Sequence, residues 1–405
     1  MKYLVILADG MADYPIPELN HQTPMQYAHT PNIDYLAKRS VLGQAATIPD
    51  NFPPGSDVAN LSVLGYDPNL YYTGRSPLEA VSMGISMASE DLALRCNLVT
   101  LSGEPDYEQK VMVDYSSGEI SSQEAQTLVQ DLQTQLGSED RSLYPGVSYR
   151  NLMIWKAAGD KKLQLTPPHD ITDQSIRNYL PQGTDGHFLL ELMKASHLLP
   201  AQHPLNADRM NSGLRPANSI WFWGEGRKPN MNSFAERYQL KGSVVAAVDL
   251  VKGLGISAGL RAVKVEGATG GIETNFAGKG HAAIEELRQE QDFVYVHIES
   301  PDEAGHQGNL EKKIWSIEQI DKLVIGQILN RLDEFDRLRL LLLPDHFTPL
   351  SIKTHSREPV PFLLFDSADP LDNQNGLYDE NNTKNGLFIS PGYNIMEYFI
   401  TGQIS

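Results

Sequence analysis

The sequence predicts an α/β protein built on a mostly parallel sheet, and three stretches carry that prediction. Residues 338–343 (LRLLLL), 292–298 (DFVYVHI) and 2–8 (KYLVILA) are short, nearly unbroken apolar runs. Runs of this kind suit strands buried on both faces of a parallel sheet. Each stops at acidic residues: Asp345 with His346 after the first, Asp302 with His306 shortly after the second, and Asp9 after the third. Open α/β sheets place ligands beyond the carboxyl ends of their strands. If the three strands are parallel neighbours, three carboxylates meet on one rim and repel one another unless cations neutralise them. His306, His346 and His355 add nitrogen donors, which makes the set large enough for two divalent metal ions with mixed oxygen and nitrogen ligands. A single Asp of this kind is usually a cap or turn residue; the recurrence argues for a site.

In chain order, Thr30-Pro31 reads as a helix start, with Ile33, Leu36 and Ala37 on the buried face. Residues 49–57 (PDNFPPGSD) form a stiff loop that feeds a short helix. Ser56 therefore sits at a helix N-terminus, where backbone N–H groups suit a phosphate; taken alone, it is more simply an ordinary N-cap. Residues 91–101 read as a core strand. Ser121 and Glu124 form a capping box for a helix through Leu136, with strands expected at 111–115, 149–158 and 163–166. This polar-to-mixed texture predicts a small α+β insertion at 107–185, flanked by a main domain of 1–106 and 186–405. Pro167-Pro168 stiffen the chain before His169-Asp170, an arrangement that fits a substrate-facing loop and fits a solvated loop equally well. Further strands are expected at 219–223 and 244–250, and Lys252 after the latter is a candidate for meeting a phosphate or carboxylate. Residues 310–332 carry a helical apolar stripe, read as core packing.

The 405 residues exceed one simple core and favour two domains. The net charge of −18, with no compensating basic run, argues against a nucleic-acid partner; a small phosphorylated substrate remains compatible, because metals and local Arg or Lys residues supply positive charge. The lone Cys96 excludes an intramolecular disulfide and fits a reducing compartment. No run approaches the roughly 20 apolar residues of a membrane span. The first apolar run stops at Asp9 without a cleavage pattern, so a cytoplasmic location is expected. Nucleotide motifs are weak: Gly278-Lys279-Gly280 lacks the P-loop spacing, and no G-x-G-x-x-G follows a strand. No G-x-S-x-G surrounds Ser56, so a metal-activated serine accounts for these residues better than a Ser-His-Asp triad.

Several segments together resemble the archaeal-type branch of the cofactor-independent phosphoglycerate mutases, in the alkaline phosphatase superfamily. They are ILADGMADYP (6–15), HTPNIDYLAKRS (29–40), PPGSDVANLSVLGYDP (53–68), TGRSPLEA (73–80), YPGVSYRNL (144–152), TPPHDI (166–171), VDLVKGLG (248–255), SPDEAGHQGN (300–309) and PDHFTP…THSREPVPF (344–362). The resemblance implies an alkaline-phosphatase-like fold with an insertion domain that closes over substrate and excludes water. It implies Ser56 as the phosphorylated nucleophile, one metal held by Asp9, Ser56, Asp345 and His346, and a second held by Asp302, His306 and His355. Manganese is the implied ion, with magnesium, cobalt or zinc as alternatives. Phosphate would pass from O3 of 3-phosphoglycerate to Ser56 and back to the 2-hydroxyl. His169 and Asp170 are candidates for substrate contact or proton transfer. Arg75, Arg150 and Lys252 are candidates for binding phosphate or carboxylate. The sequence departs from many members in Pro344 before the Asp-His pair and Phe347 after it. The strand at 91–101 is close to a subgroup proposed as homoserine kinases, so an ATP-dependent phosphotransferase is the alternative activity.

Overall fold

In the computed structural model, which describes residues 1–198, 203–373 and 375–403, the chain separates into two compact units, Met1–Tyr72 with Met231–Ser405, and Thr73–Asn230. The first unit holds strands β1 (Lys2–Ala8), β2 (Ser40–Ala45), β8 (Gly242–Val245), β9 (Arg261–Val263), β10 (Phe293–Ile298), β11 (Leu338–Leu343), β12 (Val360–Asp366) and β13 (Leu387–Ile389). The second holds β3 (Leu92–Leu101), β4 (Met112–Asp114), β5 (Arg141–Val147), β6 (Arg150–Trp155) and β7 (Ser219–Arg227).

The first unit is an α/β structure with one eight-stranded sheet, ordered β13-β2-β12-β11-β1-β10-β8-β9. Its centre is parallel, as the apolar runs predict: β1 lies between β10 and β11, with Ala8 opposite Ile298 and Leu7 opposite Leu343. Every residue of β10, and every residue of β1 after Lys2, is buried. The register brings the three strand tips to one rim. On the far side of β11 the sheet continues with β12, antiparallel to β11, and β2, antiparallel in turn to β12.

The second unit is a five-stranded antiparallel sheet in which β3 pairs with β4, β6 and β7. The helix Ser122–Leu136 begins at the expected Ser121–Glu124 capping box and packs Leu128, Val129 and Leu132 into this unit's core. Cys96 lies in the same core, and burial pushes its thiol up.

This unit is wider than the 107–185 stretch that the sequence marks out. β3 is buried along all ten residues, so its apolar run looks like a parallel core strand, yet its partners all lie within Thr73–Asn230. Three local expectations also change. β8 ends at Val245, and Lys252 lies on the helix Asp249–Ser257. Residues 163–166 form no strand; only Gln164 makes a bridge, to Gln182. The 310–332 helix is interrupted by a π segment, Ile320–Ile325, whose Asp321 receives the Ile33 N–H and the Asn32 amide. Among the described residues, no helix is long and apolar enough to cross a membrane.

Candidate metal centre

Each of the three central strands delivers its acid where the parallel register ends. Asp9 follows β1 directly and donates its N–H to Ile298 O. β10 runs into the helix Ser300–Gln307, which places Asp302 and His306 four residues apart on one face. β11 runs through Pro344 into Asp345 and His346, both fully buried.

Asp9, Asp345, His346 and Ser56 form the first cluster. His346 Nε2 stands 3.6 Å from Asp9 Oδ1, 3.5 Å from Asp345 Oδ2 and 3.1 Å from Ser56 Oγ. Ser56 is the first residue of the helix Ser56–Val63, so its hydroxyl sits at the helix's positive end. Asn60, one turn on, donates to both Ser56 O and Asp345 Oδ2 at 2.8 Å, and Tyr295 OH donates to its Oδ1 at 2.8 Å. His297, two residues along β10 from Tyr295 and so on the same face, bonds Asp9 Oδ2 through Nε2 at 2.8 Å.

Asp302, His306 and His355 form the second cluster. The two imidazole Nε2 atoms face each other at 2.9 Å. His306 Nε2 lies 3.2 Å from Asp302 Oδ2, and His355 Nε2 lies 3.5 Å from Asp302 Oδ1. Nδ1 of His306 is engaged by Lys353 O at 3.0 Å, which aims Nε2 at the carboxylate. His346 stacks at 4.0 Å between ring centroids on His355, so the clusters are contiguous.

The donors fit divalent cations. Asp9 Oδ1 is buried with no hydrogen-bond partner. Burial, and then the neighbouring Asp345, Glu299 and Asp302, push the Asp9 carboxyl well above its usual range. That is the signature of a rim short of positive charge. Asp302 differs: burial raises it, but hydrogen bonds from His306 and His355 win and hold it well below that range. The hydrogen bond to Asp302 lifts His306 to about 9. Burial lowers His346, and takes His297 down to about 3. A buried ammonium, Lys279, donates to His297 O at 2.9 Å; burial lowers it to about 8 against the pull of Glu299 and Asp9.

Within the second unit, His169 lies on the turn Pro168–Ile171 with its ring 5.1 Å from Trp223 and 6.0 Å from Tyr115. Asp170 is exposed, 3.6 Å from His169 Nε2. Arg95 stacks on Trp223 at 4.7 Å and, with Arg75, clasps the buried Glu79. Burial raises the Glu79 carboxyl, but the two guanidiniums outweigh it and the net shift is downward. Arg150 stands 5.4 Å from the Tyr149 ring, which packs on Tyr115.

A model of the family described as 2,3-bisphosphoglycerate-independent phosphoglycerate mutase matches residues 37–206. The protein of that description from Methanosarcina mazei is 48% identical over 387 residues, covering 95% of this chain and 96% of the relative. Its counterpart from Methanothrix thermoacetophila is 45% identical over 403 residues, covering 99% of this chain and all of the relative. The chain belongs to this family.

Solved structures agree with the mutase fold. The PH0037 protein from Pyrococcus horikoshii superposes with a TM-score of 0.81 at 30% identity, over 98% of this chain and 96% of that one. The cofactor-independent phosphoglycerate mutase from Thermoplasma acidophilum gives 0.67 at 24% identity, over 99% of both. The seven ligands expected for a mutase fall into the two clusters above. Lys252 is engaged by Asp249 at 2.9 Å on its own helix. Asn60, Tyr295, His297, Thr348 and Arg95 escaped the sequence reading. Two of them were signalled faintly: Tyr295 and His297 are polar residues two apart in an otherwise apolar buried strand.

Proposed function

We propose that this mutase-family chain interconverts 3-phosphoglycerate and 2-phosphoglycerate through a phosphoserine at Ser56. The observation that carries the reading is the Ser56 hydroxyl, 3.1 Å from His346 Nε2 at the rim where the buried carboxylates meet. The names of relatives 45–48% identical over nearly the whole chain support the substrate.

Asp9, Ser56, Asp345 and His346 would hold one divalent ion, and Asp302, His306 and His355 the other, with manganese the first choice. Bound there, the ions would lower the serine hydroxyl pKa and neutralise charge on the phosphoryl oxygens. Ser56 Oγ attacks phosphorus as the bond to O3 breaks; Ser56 loses its hydroxyl proton and O3 gains one. The 2-hydroxyl then attacks the phosphoserine, loses its proton, and Ser56 regains one. The helix N-terminus under Ser56 favours the phosphoryl charge. Asn60 ties the serine backbone to Asp345, so nucleophile and ligand keep one geometry. In the second unit Arg75 and Arg95 both engage the buried Glu79, and Arg150 acts electrostatically on Arg95, a concentration of positive charge suited to a carboxylate or phosphate. His169, its pKa held down by burial, is the group we assign to proton transfer at the glycerate hydroxyls, with Asp170 beside it. The location we propose is cytoplasmic.

The test is turnover of 3-phosphoglycerate followed by a coupled enolase assay, with a parallel reaction holding ATP and homoserine. Activity abolished by chelation and restored by manganese is expected. ATP-dependent formation of phosphohomoserine without mutase activity would overturn the substrate and leave the site chemistry standing.

A further inference from the structure

Thr348 touches both ligand clusters, and all its polar groups are engaged. Its N–H donates to Ala12 O at 3.2 Å and its carbonyl accepts from Lys313 Nζ at 2.8 Å. Its Oγ1 lies 2.5 Å from Asp302 Oδ1 and 3.2 Å from His346 Nδ1. The residue is completely buried. Two glycines make room for it. At Gly10, with φ +59°, a Cβ would stand 2.4 Å from Thr348 Oγ1 and 2.6 Å from Asp302 Oδ1. At Gly305 a Cβ would stand 2.5 Å from Thr348 O. The segments leaving β1, β10 and β11 therefore close on this one side chain.

The proton inventory sets the direction of its bonds. An ionised carboxylate only accepts, so the single hydroxyl proton of Thr348 goes to Asp302 Oδ1. The oxygen then accepts from its other partner, which requires the proton of neutral His346 to sit on Nδ1. Nε2 is left with its lone pair toward Ser56 Oγ. The opposite tautomer would set two buried lone pairs against each other across 3.2 Å.

We propose that Thr348 is a positioning residue: its hydroxyl locks His346 in the Nδ1–H tautomer and fixes the Asp302 carboxylate, coupling the two cation positions through one oxygen. The coupling rests on the dimetal reading given under Proposed function; the tautomer lock does not. Losing the hydroxyl weakens both positions together, whereas losing an ordinary ligand weakens its own position first.

The test combines two readouts. In metal-free protein labelled with 13C and 15N at histidine, ring chemical shifts report the His346 tautomer, assigned by its absence in His346→Gln. The wild type is expected as Nδ1–H, Thr348→Val is expected to gain the Nε2–H form, and Thr348→Ser is expected to match the wild type. In manganese titrations Thr348→Val is expected to lose about 10- to 100-fold in affinity at both positions, with Thr348→Ser restoring most of it. A wild type in the Nε2–H form would overturn the proposal even if Thr348→Val failed to fold. So would a Thr348→Val titration that overlays the wild type. A wild type that binds no manganese yet shows the Nδ1–H form would refute the dimetal reading and support the lock.

Discussion

Replacing Lys313 by Met tests how the loops carrying the site are held. The Lys313 side chain is fully buried, and its ammonium contacts Asp13 Oδ2 at 2.7 Å, Thr348 O at 2.8 Å and Ala12 O at 3.3 Å. Asp13 keeps two donors after the change, the N–H groups of Tyr14 and Leu350, but loses its only counter-charge in direct contact among the described residues. Removing one partner of a buried pair costs about 3–5 kcal/mol, chiefly because the other charge is stranded. With two carbonyls also left without their donor, we expect about 4 kcal/mol, or a Tm lower by about 8 °C for a unit of this size. Asp13→Asn combined with Lys313→Met removes the stranded charge, so the double variant should be no less stable than Lys313→Met alone. Urea unfolding followed by circular dichroism, on wild type, both single variants and the double variant, measures the coupling. Trp155, Trp221 and Trp223, three of the four tryptophans, lie in the second unit, so fluorescence should shift less than circular dichroism. A Lys313→Met protein within about 1 kcal/mol of wild type, or additive losses in the double variant, would refute the reasoning.

Three further outcomes follow from the same geometry. Ser56→Ala should lose on the order of 10⁴-fold or more in turnover while still binding manganese by calorimetry; near-normal turnover would exclude the serine as nucleophile. Burial raises Glu380 to about 7 from its usual value of 4.5, where it accepts from Asp13 N–H and Thr23 Oγ1. A raised carboxyl contributes stability that is complete below its unfolded pKa and lost as pH rises through the folded one, so about 3 kcal/mol should disappear between pH 4.5 and 7. Unfolding curves across that range should show the loss in wild type and a flatter profile in Glu380→Gln. His306, lifted to about 9 by Asp302, is protonated at neutral pH without metal, so manganese binding should release about one proton there. Titration calorimetry in buffers of different ionisation enthalpy would detect it, and buffer-independent heats would count against His306 as a ligand.

The rim was legible because a parallel strand buried on both faces leaves an unmistakable apolar run, and the acid after each run marks its end. That logic located Asp9, Asp302 and Asp345 without any pairing information, and the register of β1 with β10 and β11 supplies the convergence. The capping box at Ser121 was equally plain, since both of its partners lie within one turn. What escaped depends on distant partners. Asn60 reaches Asp345 across 285 residues, and His297 reaches Asp9 across 288, and nothing local distinguishes such a side chain from core filling. The 91–101 run reads as a core strand of the main domain because burial on two faces erases the alternation that would mark an antiparallel strand. Arg95 was hidden in that same run.

The position of β1 in the sheet also imposes a schedule on synthesis. Both of its neighbours, β10 and β11, are encoded after Thr73–Asn230, which is continuous and contains all the strands of its own sheet. At about 5–20 residues per second, Tyr3 waits roughly 15 to 60 s for Phe293 to leave the ribosome. The middle of the protein has time to fold first, while an apolar strand ending in Asp9 stays unpaired. The proposed ion sites would be complete only once Asp345, His346 and His355 have emerged. Under the dimetal proposal, metal capture would follow the folding of Thr73–Asn230.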